Sequence, residues 1–341
     1  MIMLKPEPSR AVLAAWCAAL LAVPAAAGAQ SLPHSPDLYV AEFFGSTVQR
    51  FSGPLSPRPG ADHPAPGRSG SVYAGPVGRR PWGIAFGPDG NLYIANQQGG
   101  GGAVHRVKGP FSDAPGDPLP APGMPEDVFV AEGNALVLAF GLDGNLLVGI
   151  GGPILRYDIV TGRPLGAFTS GRALLEVAGL ALGPDQNLYV SATDAVSGHP
   201  AILRFDGRRG AFIDTFVAPG GGGMLQPAGI GFGTNGDLFV CDFSSETGAG
   251  AVLRFHGPLD AAAGQPFPAA DQPGARFAQA AGVFPTHLAF GPDRTLYVTG
   301  SRTGDGQGVV LKFNGRSGAA LGTFATVAGG ARGLAFAIGR E

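Results

Sequence analysis

The sequence repeats itself, and this repetition limits the folds open to the chain more than any other feature. Each copy is an apolar run, a turn of the Gly-Pro-Asp-Gly type, and a second apolar run rich in Leu, Tyr and Val. Proline presets one turn dihedral angle and glycine or asparagine tolerates the positive one, so each copy predicts a β-hairpin. Five copies are in register, at Pro81–Asn96, Ala135–Ile150, Val177–Ala192, Pro227–Asp242 and Pro285–Gly300.

Each hairpin is followed by an apolar residue, any residue, a base and usually an aromatic residue. We expect this base to pack its stem between neighbouring blades and to pair with a turn aspartate or a carbonyl. Fourth strands are indicated at Phe212–Phe216 and Ala320–Phe324. Four short antiparallel strands per unit of roughly 50 residues are typical of a propeller blade. The base recurs six times, at Arg50, Arg106, Arg156, Arg204, Arg254 and Lys312.

The two ends of the chain supply complementary parts of one unit. Asp37–Glu42 matches the second strand of a repeat and Val48–Phe51 the third, but no first strand precedes them. The missing strand stands at the other end, at Ala331–Phe336, and pairing it with the first unit removes an open sheet edge. The sequence therefore predicts an all-β, six-bladed β-propeller with four antiparallel strands per blade and a first blade closed by the C-terminal strand.

The segment Pro81–Ala95 (PWGIAFGPDGNLYIA) and its copies resemble the NHL repeat, within the TolB-like superfamily of six-bladed propellers. The resemblance extends from Asp37 to Phe336. It implies a fold but no single activity, because the same blade serves scaffolds, protein or carbohydrate binders, lactonases and lyases. The enzymes that it suggests are the gluconolactonase-type and virginiamycin-lyase-like propellers.

Charged residues make up 14% of the chain and the formal net charge is −2. This balance argues against a nucleic-acid partner and against an electrostatic membrane patch, because both need a concentrated basic face. Glycine (58) and proline (31) are abundant, and they concentrate in a few stretches between the repeats. We expect these stretches to be mobile insertions, or, for one or two of them, a lid over the ring. They are Gly53–Arg80, Gly109–Glu126, Ala218–Gln226 and Gly257–Gly282.

The N-terminus is typical of an export signal. A weakly positive start is followed by the apolar run Ala11–Ala27 and by small residues suited to cleavage before Gln30. We expect a signal peptide over residues 1–29 and a single propeller over residues 30–341, in the periplasm or outside the cell. Cleavage leaves Cys241 as the single cysteine, so no intramolecular disulfide is expected. No later run of about 18 apolar residues predicts a membrane span.

Three oxygen-bearing side chains occupy the position after the second strand of a repeat: Glu42, Asn96 and Asp242. Carboxylate and amide oxygens suit a hard divalent cation such as Ca²⁺, so these residues are candidate metal ligands. The lactonases that the resemblance suggests also use such a Glu/Asn/Asp set, although their leading Glu motif has no counterpart here. The alternative is that each side chain caps its strand end by accepting backbone N–H groups.

The innermost strands also depart from the repeat. His287 stands where four blades have glycine, and it is a candidate ligand contact or general acid/base, or else a packing histidine. Just before it, Thr286 is a candidate for the rim of the channel. Trp82 and Arg332, at equivalent positions of adjacent blades, are candidates for an aromatic and cationic rim that binds an anionic or sugar ligand, or else for a stacked pair without a ligand.

The repeat alone does not decide the activity, and two hypotheses follow. The first is a non-enzymatic binding or scaffold protein that recognises a protein, peptide or glycan at one face or at the channel mouth. The second is a metal-dependent hydrolase or lyase that uses Glu42, Asn96 and Asp242 with His287 as acid/base. A closed ring has no free edge that requires pairing, so we expect a monomer. The binding hypothesis predicts an exposed patch of aromatic and arginine residues on one rim.

Overall fold

The computed structural model describes residues 36–77, 80–97, 103–131 and 133–337. The predicted signal peptide lies outside the described residues. Within them, six four-stranded antiparallel sheets form the blades of a propeller. The described part of the chain holds a single helical element, the 3₁₀ turn Gly221–Gly223, and no helix there is long and apolar enough to span a membrane.

The first three blades share the order inner strand, two middle strands and outer strand. Blade 1 contains β24 (Ala331–Phe336), β1 (Leu38–Glu42), β2 (Thr47–Phe51) and β3 (Val72–Ala74). Blade 2 contains β4 (Pro81–Phe86), β5 (Leu92–Asn96), β6 (Val104–Val107) and β7 (Val128–Val130). Blade 3 contains β8 (Val137–Phe140), β9 (Leu146–Gly149), β10 (Ile154–Tyr157) and β11 (Pro164–Ala167).

The other three blades have the same order, and every blade except blade 1 is continuous in sequence. Blade 4 contains β12 (Leu174–Leu182), β13 (Leu188–Asp194), β14 (His199–Phe205) and β15 (Phe212–Val217). Blade 5 contains β16 (Pro227–Phe232), β17 (Leu238–Ser244), β18 (Ala249–Phe255) and β19 (Arg276–Ala280). Blade 6 contains β20 (Val283–Phe290), β21 (Leu296–Arg302), β22 (Gly308–Phe313) and β23 (Ala320–Val327).

The ring closes as the sequence predicts. β24 pairs antiparallel with β1, with Leu38 opposite Phe336 and Val40 opposite Leu334. The inner strands contact one another in the circular order β24, β4, β8, β12, β16, β20 and back to β24. Glycine allows this close approach: a Cβ atom at Gly229 would lie 2.7 Å from the Cα atom of His287 in the next blade.

The hydrophobic core is divided among the six interfaces between neighbouring blades, with one cluster of buried residues at each. The second strands are buried along both faces, because a blade lies on either side of them. For β1 and β5 every residue is buried. This double burial explains why the second run of each repeat is continuously apolar instead of alternating.

Aromatic pairs join successive blades. The second-strand tyrosine or phenylalanine of one blade meets the phenylalanine that ends the first strand of the next, edge to face, at 4.9 to 5.2 Å between ring centres. Such pairs contribute about 0.5–1.5 kcal/mol each beyond their buried area. Blade 3 departs from the pattern, because its second strand carries Leu147. The pairs are Tyr39–Phe86, Tyr93–Phe140, Tyr189–Phe232, Phe239–Phe290 and Tyr297–Phe336.

The recurring base of the third strand is structural. Arg50 pairs with Asp37, Arg204 pairs with Asp214, and Arg254 donates to the carbonyl of Phe267. The prediction was a turn aspartate or a carbonyl, and it is confirmed for Arg254; Arg204 meets the turn aspartate Asp185 at 3.5 Å, but its shorter ion pair is with a strand residue, Asp214. Most of them also lie over aromatic rings of their own blade, which supplies a cation–π contact.

Three of the Pro/Gly-rich stretches are more ordered than the expected mobile insertions. Gly53–Arg80 contains β3 and Gly257–Gly282 contains β19, while Gly109–Glu126 leads directly into β7. Isolated bridges also hold these stretches to the third strands of their blades, at Phe51–Asp62, Val107–Pro118 and Phe255–Pro266. The prediction of mobile insertions was therefore wrong for the parts that supply fourth strands, because very short strands leave little apolar periodicity to detect.

The two faces of the ring differ in the parts of the chain that they carry. On the face that we call the upper face, the inner strands begin and the second strands end, as the opposition of Pro81 and Asn96 shows. On the lower face lie the Gly-Pro-Asp turns and the connections between third and fourth strands. All the site residues predicted from the sequence belong to the upper face or to the channel below it.

Candidate functional site

The central channel holds a cavity of about 320 Å³. Its wall is built from the inner strands, each of which contributes an aliphatic side chain at the same position of the repeat. His287 is the one titratable side chain among the described residues that line it. Among the described side chains that line the channel, this imidazole is therefore the one polar group. The aliphatic ring consists of Ile84, Leu138, Leu180, Ile230, Leu288 and Leu334.

The imidazole of His287 enters the channel without a hydrogen-bond partner for Nδ1 among the described residues. Desolvation, together with the positive charge of Arg332, lowers its pKa to about 4. The ring is therefore neutral at pH 7. The ring lines the channel, as the sequence predicted, and its role as a ligand contact or as general acid/base stays a prediction.

Thr286 has a different surrounding from the one predicted. Its side chain is buried, with 1% exposure, and its hydroxyl lies 3.1 Å from the carbonyl oxygen of Arg332 and 3.2 Å from that of Ala331. A hydroxyl has one proton to donate. Its possible acceptors are these two carbonyls of the neighbouring blade and, in its own blade, the carbonyl of Thr299 at 3.2 Å. Burial removes Thr286 from the rim, where a ligand contact was expected, and assigns it to the junction between blades 6 and 1.

The predicted pair Trp82 and Arg332 meets at the upper mouth of the channel. The guanidinium carbon of Arg332 lies 4.8 Å from the centre of the Trp82 ring and 4.9 Å from that of Phe43. The two rings meet edge to face at 5.5 Å. One nitrogen of Arg332, Nη1, donates to the hydroxyl of Ser301 at 2.8 Å. Burial lowers the pKa of Arg332 to about 10.

Two exposed side chains extend this cluster toward solvent. Arg80 lies over the Phe43 ring, with its guanidinium carbon 5.4 Å from the ring centre. Phe44 packs edge to face on Phe43 at 4.9 Å and is 67% exposed. We call the set Phe43, Phe44, Arg80, Trp82 and Arg332 the aromatic–arginine rim. Trp82 and Arg332 were found from the sequence, and the other three were missed.

The carboxylate of Glu42 accepts hydrogen bonds within blade 1. The hydroxyl of Thr47 donates to Oε2 at 2.5 Å, the amide of Gln49 donates to the same oxygen at 2.8 Å, and the backbone N–H of Gly329 donates to Oε1 at 3.0 Å. Both oxygens are therefore engaged locally. Glu42 ties the loop after β1 to the loop before β24, close to the aromatic–arginine rim.

Asp242 caps the start of blade 5. The backbone N–H groups of Leu225 and Gln226 donate to its Oδ1 at 3.0 and 2.8 Å. Burial nevertheless raises the pKa of Asp242 to about 6. Asn96 is 1% exposed, and its backbone bonds Ala103 and Ala135 at the equivalent place in blade 2.

The three predicted metal ligands thus lie on one face but in separate local networks. Glu42 and Asn96 belong to adjacent blades, and Asp242 belongs to a blade that is not next to either. Ca²⁺ takes 6–8 oxygen ligands, while the oxygens of Glu42 and the Oδ1 of Asp242 face protein donors. Across residues 36–77, 80–97, 103–131 and 133–337, no group of three or more His, Cys, Asp or Glu side chains is arranged to hold a metal. These side chains as they stand do not fit a metal ion.

One sequence signal could have revealed more of the rim. Phe43-Phe44 is an aromatic pair directly after the Glu42 position, where the other blades carry small or polar residues apart from Phe243 in blade 5. Arg80 stands two residues before Trp82, just outside the repeat. Both positions belong to loops, whose path the repeat does not determine.

Comparisons with known proteins support the fold but do not indicate the activity. A gluconolactonase from Xanthomonas campestris is 16% identical, with a TM-score of 0.52 over 90% of this chain and 90% of its own. A protein described as a putative oxidoreductase (glucose dehydrogenase) from Thermus thermophilus is 19% identical, with a TM-score of 0.51 over 82% of this chain and 96% of its own. A putative TolB from Agrobacterium tumefaciens is 11% identical, with a TM-score of 0.49 over 88% and 91%.

At these identities the likeness shows the propeller fold and nothing about the reaction. No family model matches the chain, and no curated protein matches it in sequence. Membership of the NHL-repeat family stays a prediction.

Proposed function

We propose that this chain is an exported recognition propeller that binds a protein, peptide or glycan at the upper mouth of its channel. The observation that supports it is the aromatic–arginine rim, in which the guanidinium of Arg332 contacts the rings of both Trp82 and Phe43. Aromatic and arginine side chains dominate binding hot spots, because they combine large apolar area with directed hydrogen bonds. Phe44 and Arg80 are the exposed members of the rim, and they supply the aromatic and arginine surface that the binding hypothesis requires.

Further apolar side chains of the upper face support the same proposal. Val196 is 69% exposed, Leu225 is 55% exposed and Leu175 is 47% exposed, and all three stand where second strands end or inner strands begin. Phe243 and Phe284 meet there at 4.4 Å between ring centres. A larger ligand that reaches across the mouth can therefore bury apolar surface on several blades.

The proposal is tested by probing glycan and peptide arrays with the chain from residue 30 onward. Trp82→Ala is the test variant, and Phe111→Ala is its control, because Phe111 is a half-exposed aromatic residue (51%) on the lower face. We expect a defined set of ligands that bind the wild type and Phe111→Ala, and that Trp82→Ala loses. The same ligands bound by all three proteins, or an array without reproducible ligands, would contradict the proposal.

Export belongs to the same proposal. The positive start, the apolar run Ala11–Ala27 and the small residues before Gln30 support removal of residues 1–29. N-terminal sequencing of the protein secreted by a bacterial host should begin at Gln30. A cytosolic protein that retains Met1 would contradict export.

A metal-dependent hydrolase or lyase stays the competing proposal. The raised pKa of Asp242 and the lowered pKa of His287 favour it, since perturbed groups concentrate at functional sites. Against it stand the local hydrogen bonds of Glu42 and Asp242. Elemental analysis of the purified protein, with thermal shifts in Ca²⁺, Mg²⁺, Mn²⁺ and Zn²⁺, separates the two. A stoichiometric metal with a raised melting temperature would favour the enzyme.

A further inference from the structure

Arg332 is a half-buried cation without an acidic partner. In the described part of the chain no Asp or Glu oxygen lies within 4.0 Å of its guanidinium, and its one hydrogen bond goes to the neutral hydroxyl of Ser301. Arg172 pairs with Asp194 at 2.6 Å, and Arg50 pairs with Asp37 at 2.7 Å. Arg254 has no acidic partner among the described residues, but it donates to the carbonyls of Phe267 and Pro268. A buried charge without a counter-ion is costly.

The donors of Arg332 are only partly used. A guanidinium has five N–H groups, and Nη1 alone has a partner among the described residues. Nε is buried without a hydrogen bond, so one edge of the group is fixed against protein. Nη2 is not among the buried unpaired atoms and makes no hydrogen bond within the described part of the protein, so it is open to a ligand. The rings of Trp82 and Phe43 hold the guanidinium in this orientation.

A second cation strengthens the positive potential at this point. Arg80 is exposed and shares the Phe43 ring with Arg332. It has no ion pair within the described residues. Two arginines therefore flank one aromatic ring, on a chain whose formal net charge is −2. His287, the nearest titratable group in the channel, is neutral at pH 7 and neither adds to this charge nor cancels it.

We propose that the aromatic–arginine rim binds the carboxylate of its ligand, with Nη2 of Arg332 donating to a carboxylate oxygen and Trp82 packing on the adjoining part of the ligand. This inference rests on the proposed function and names the chemistry of its ligand. A singly charged group matches the single desolvated cation, since Arg80 is largely screened by water. The carboxylate can belong to an acidic sugar or to a peptide, and the test separates these sources.

Trp82 makes the test direct, because it is the one tryptophan after residue 29. Its fluorescence is recorded in the chain from residue 30 while two matched pairs are added: glucuronate against glucose, and N-acetylphenylalanine against its amide. Inorganic phosphate is a fifth probe. Charge-assisted hydrogen bonds correspond to about tenfold or more in affinity. We expect at least one acid to bind about tenfold or more tighter than its neutral partner, and the pair that responds identifies the source.

Four variants link the response to the rim. Arg332→Gln should lose about tenfold or more of the acid affinity, Arg332→Lys should retain part of it, and Arg80→Gln should lose less. Arg316→Gln, an exposed arginine on the lower face, should bind like the wild type. Circular dichroism and the melting temperature establish that each variant is folded, and Arg332→Lys keeps the test valid if Arg332→Gln does not fold.

The outcomes separate the two proposals. Neutral probes or array ligands that bind at Trp82 as well as acids do, with no effect of Arg332→Gln, overturn the carboxylate inference and leave the recognition proposal standing. Phosphate binding tighter than either acid also overturns the carboxylate inference. A third outcome is that the acids bind the wild type but not Arg332→Gln, while the array ligands bind Trp82→Ala as well as they bind the wild type. The carboxylate site then stands and the wider recognition proposal fails.

Discussion

The ring of Tyr297 in blade 6 meets the ring of Phe336 in β24 edge to face, with 5.2 Å between their centres. This contact joins the last continuous blade to the strand that completes the first one. It repeats the contact found at four other interfaces, so the C-terminal strand packs like any other inner strand. Closure of the ring therefore depends on the last residues of the described chain.

Removal of β24 should prevent formation of the closed ring. A chain that ends at Gly330 loses the strand that pairs with β1 and exposes the cluster formed by Leu38, Val40 and Tyr297. We expect it to aggregate or to unfold without a cooperative transition. A chain that ends at Ala337 is the control and should melt like the full-length protein. Cooperative melting of the shorter chain, measured by circular dichroism, would argue against closure by β24.

The hydroxyl of Thr286 should contribute to stability. Thr286→Val keeps the shape but removes the hydroxyl that contacts the carbonyls of Ala331 and Arg332, which costs about 1 kcal/mol in the free energy of unfolding. Thr323→Val, at an exposed position of β23, should change the free energy of unfolding by less than about 0.5 kcal/mol. Urea denaturation measures both. Equal effects of the two variants would remove Thr286 from the junction between blades.

The contribution of Asp242 to stability should increase in mild acid, measured against a variant that cannot titrate. Its folded pKa of about 6 lies above the unfolded value, so between about pH 4 and pH 6 the folded chain holds a proton that the unfolded chain has lost. The stability of the wild type relative to Asp242→Asn should therefore rise as the pH falls through this range, by about 1–3 kcal/mol. Urea denaturation at several pH values tests this, and the opposite slope would show that the carboxylate is stabilised when folded.

His287 should have the opposite effect on stability, lowering it as the pH falls. Its folded pKa of about 4 lies below the unfolded value, so between about pH 6.5 and pH 4 the unfolded chain binds a proton that the folded chain does not. As the pH falls through this range, the free energy of unfolding of the wild type should fall by about 1–3 kcal/mol relative to that of His287→Gln. The pKa itself can be read from the imidazole signals by NMR. A value near the ordinary one would place the ring in water instead of in the channel.

The repeat made the fold predictable, because its parts have local physical causes. The turn aspartates accept hydrogen bonds from second-strand tyrosines, as Tyr93 to Asp89 and Tyr189 to Asp185 show at 3.0 Å. Turn and strand residues that recur at fixed spacing therefore indicate the same hairpin in each blade. Closure was predictable because Ala331–Phe336 matches the missing first strand.

The site was only partly predictable. Trp82 and Arg332 hold equivalent positions at the start of adjacent inner strands, so their proximity follows from the ring. Phe43 and Arg80 belong to loops that the repeat does not define. Glu42 accepts a hydrogen bond from Gly329, which lies 287 residues later in the sequence, and no local pattern indicates such a contact.

Acrylamide quenching of Trp82 fluorescence, with and without the tightest array ligand, tests the central claim most directly. In the chain from residue 30, all the tryptophan emission comes from the rim. A ligand that covers the mouth of the channel should shield the indole, so the quenching constant should fall as the ligand saturates the protein. Binding that leaves the quenching constant unchanged would place the ligand elsewhere on the propeller and contradict recognition at the aromatic–arginine rim.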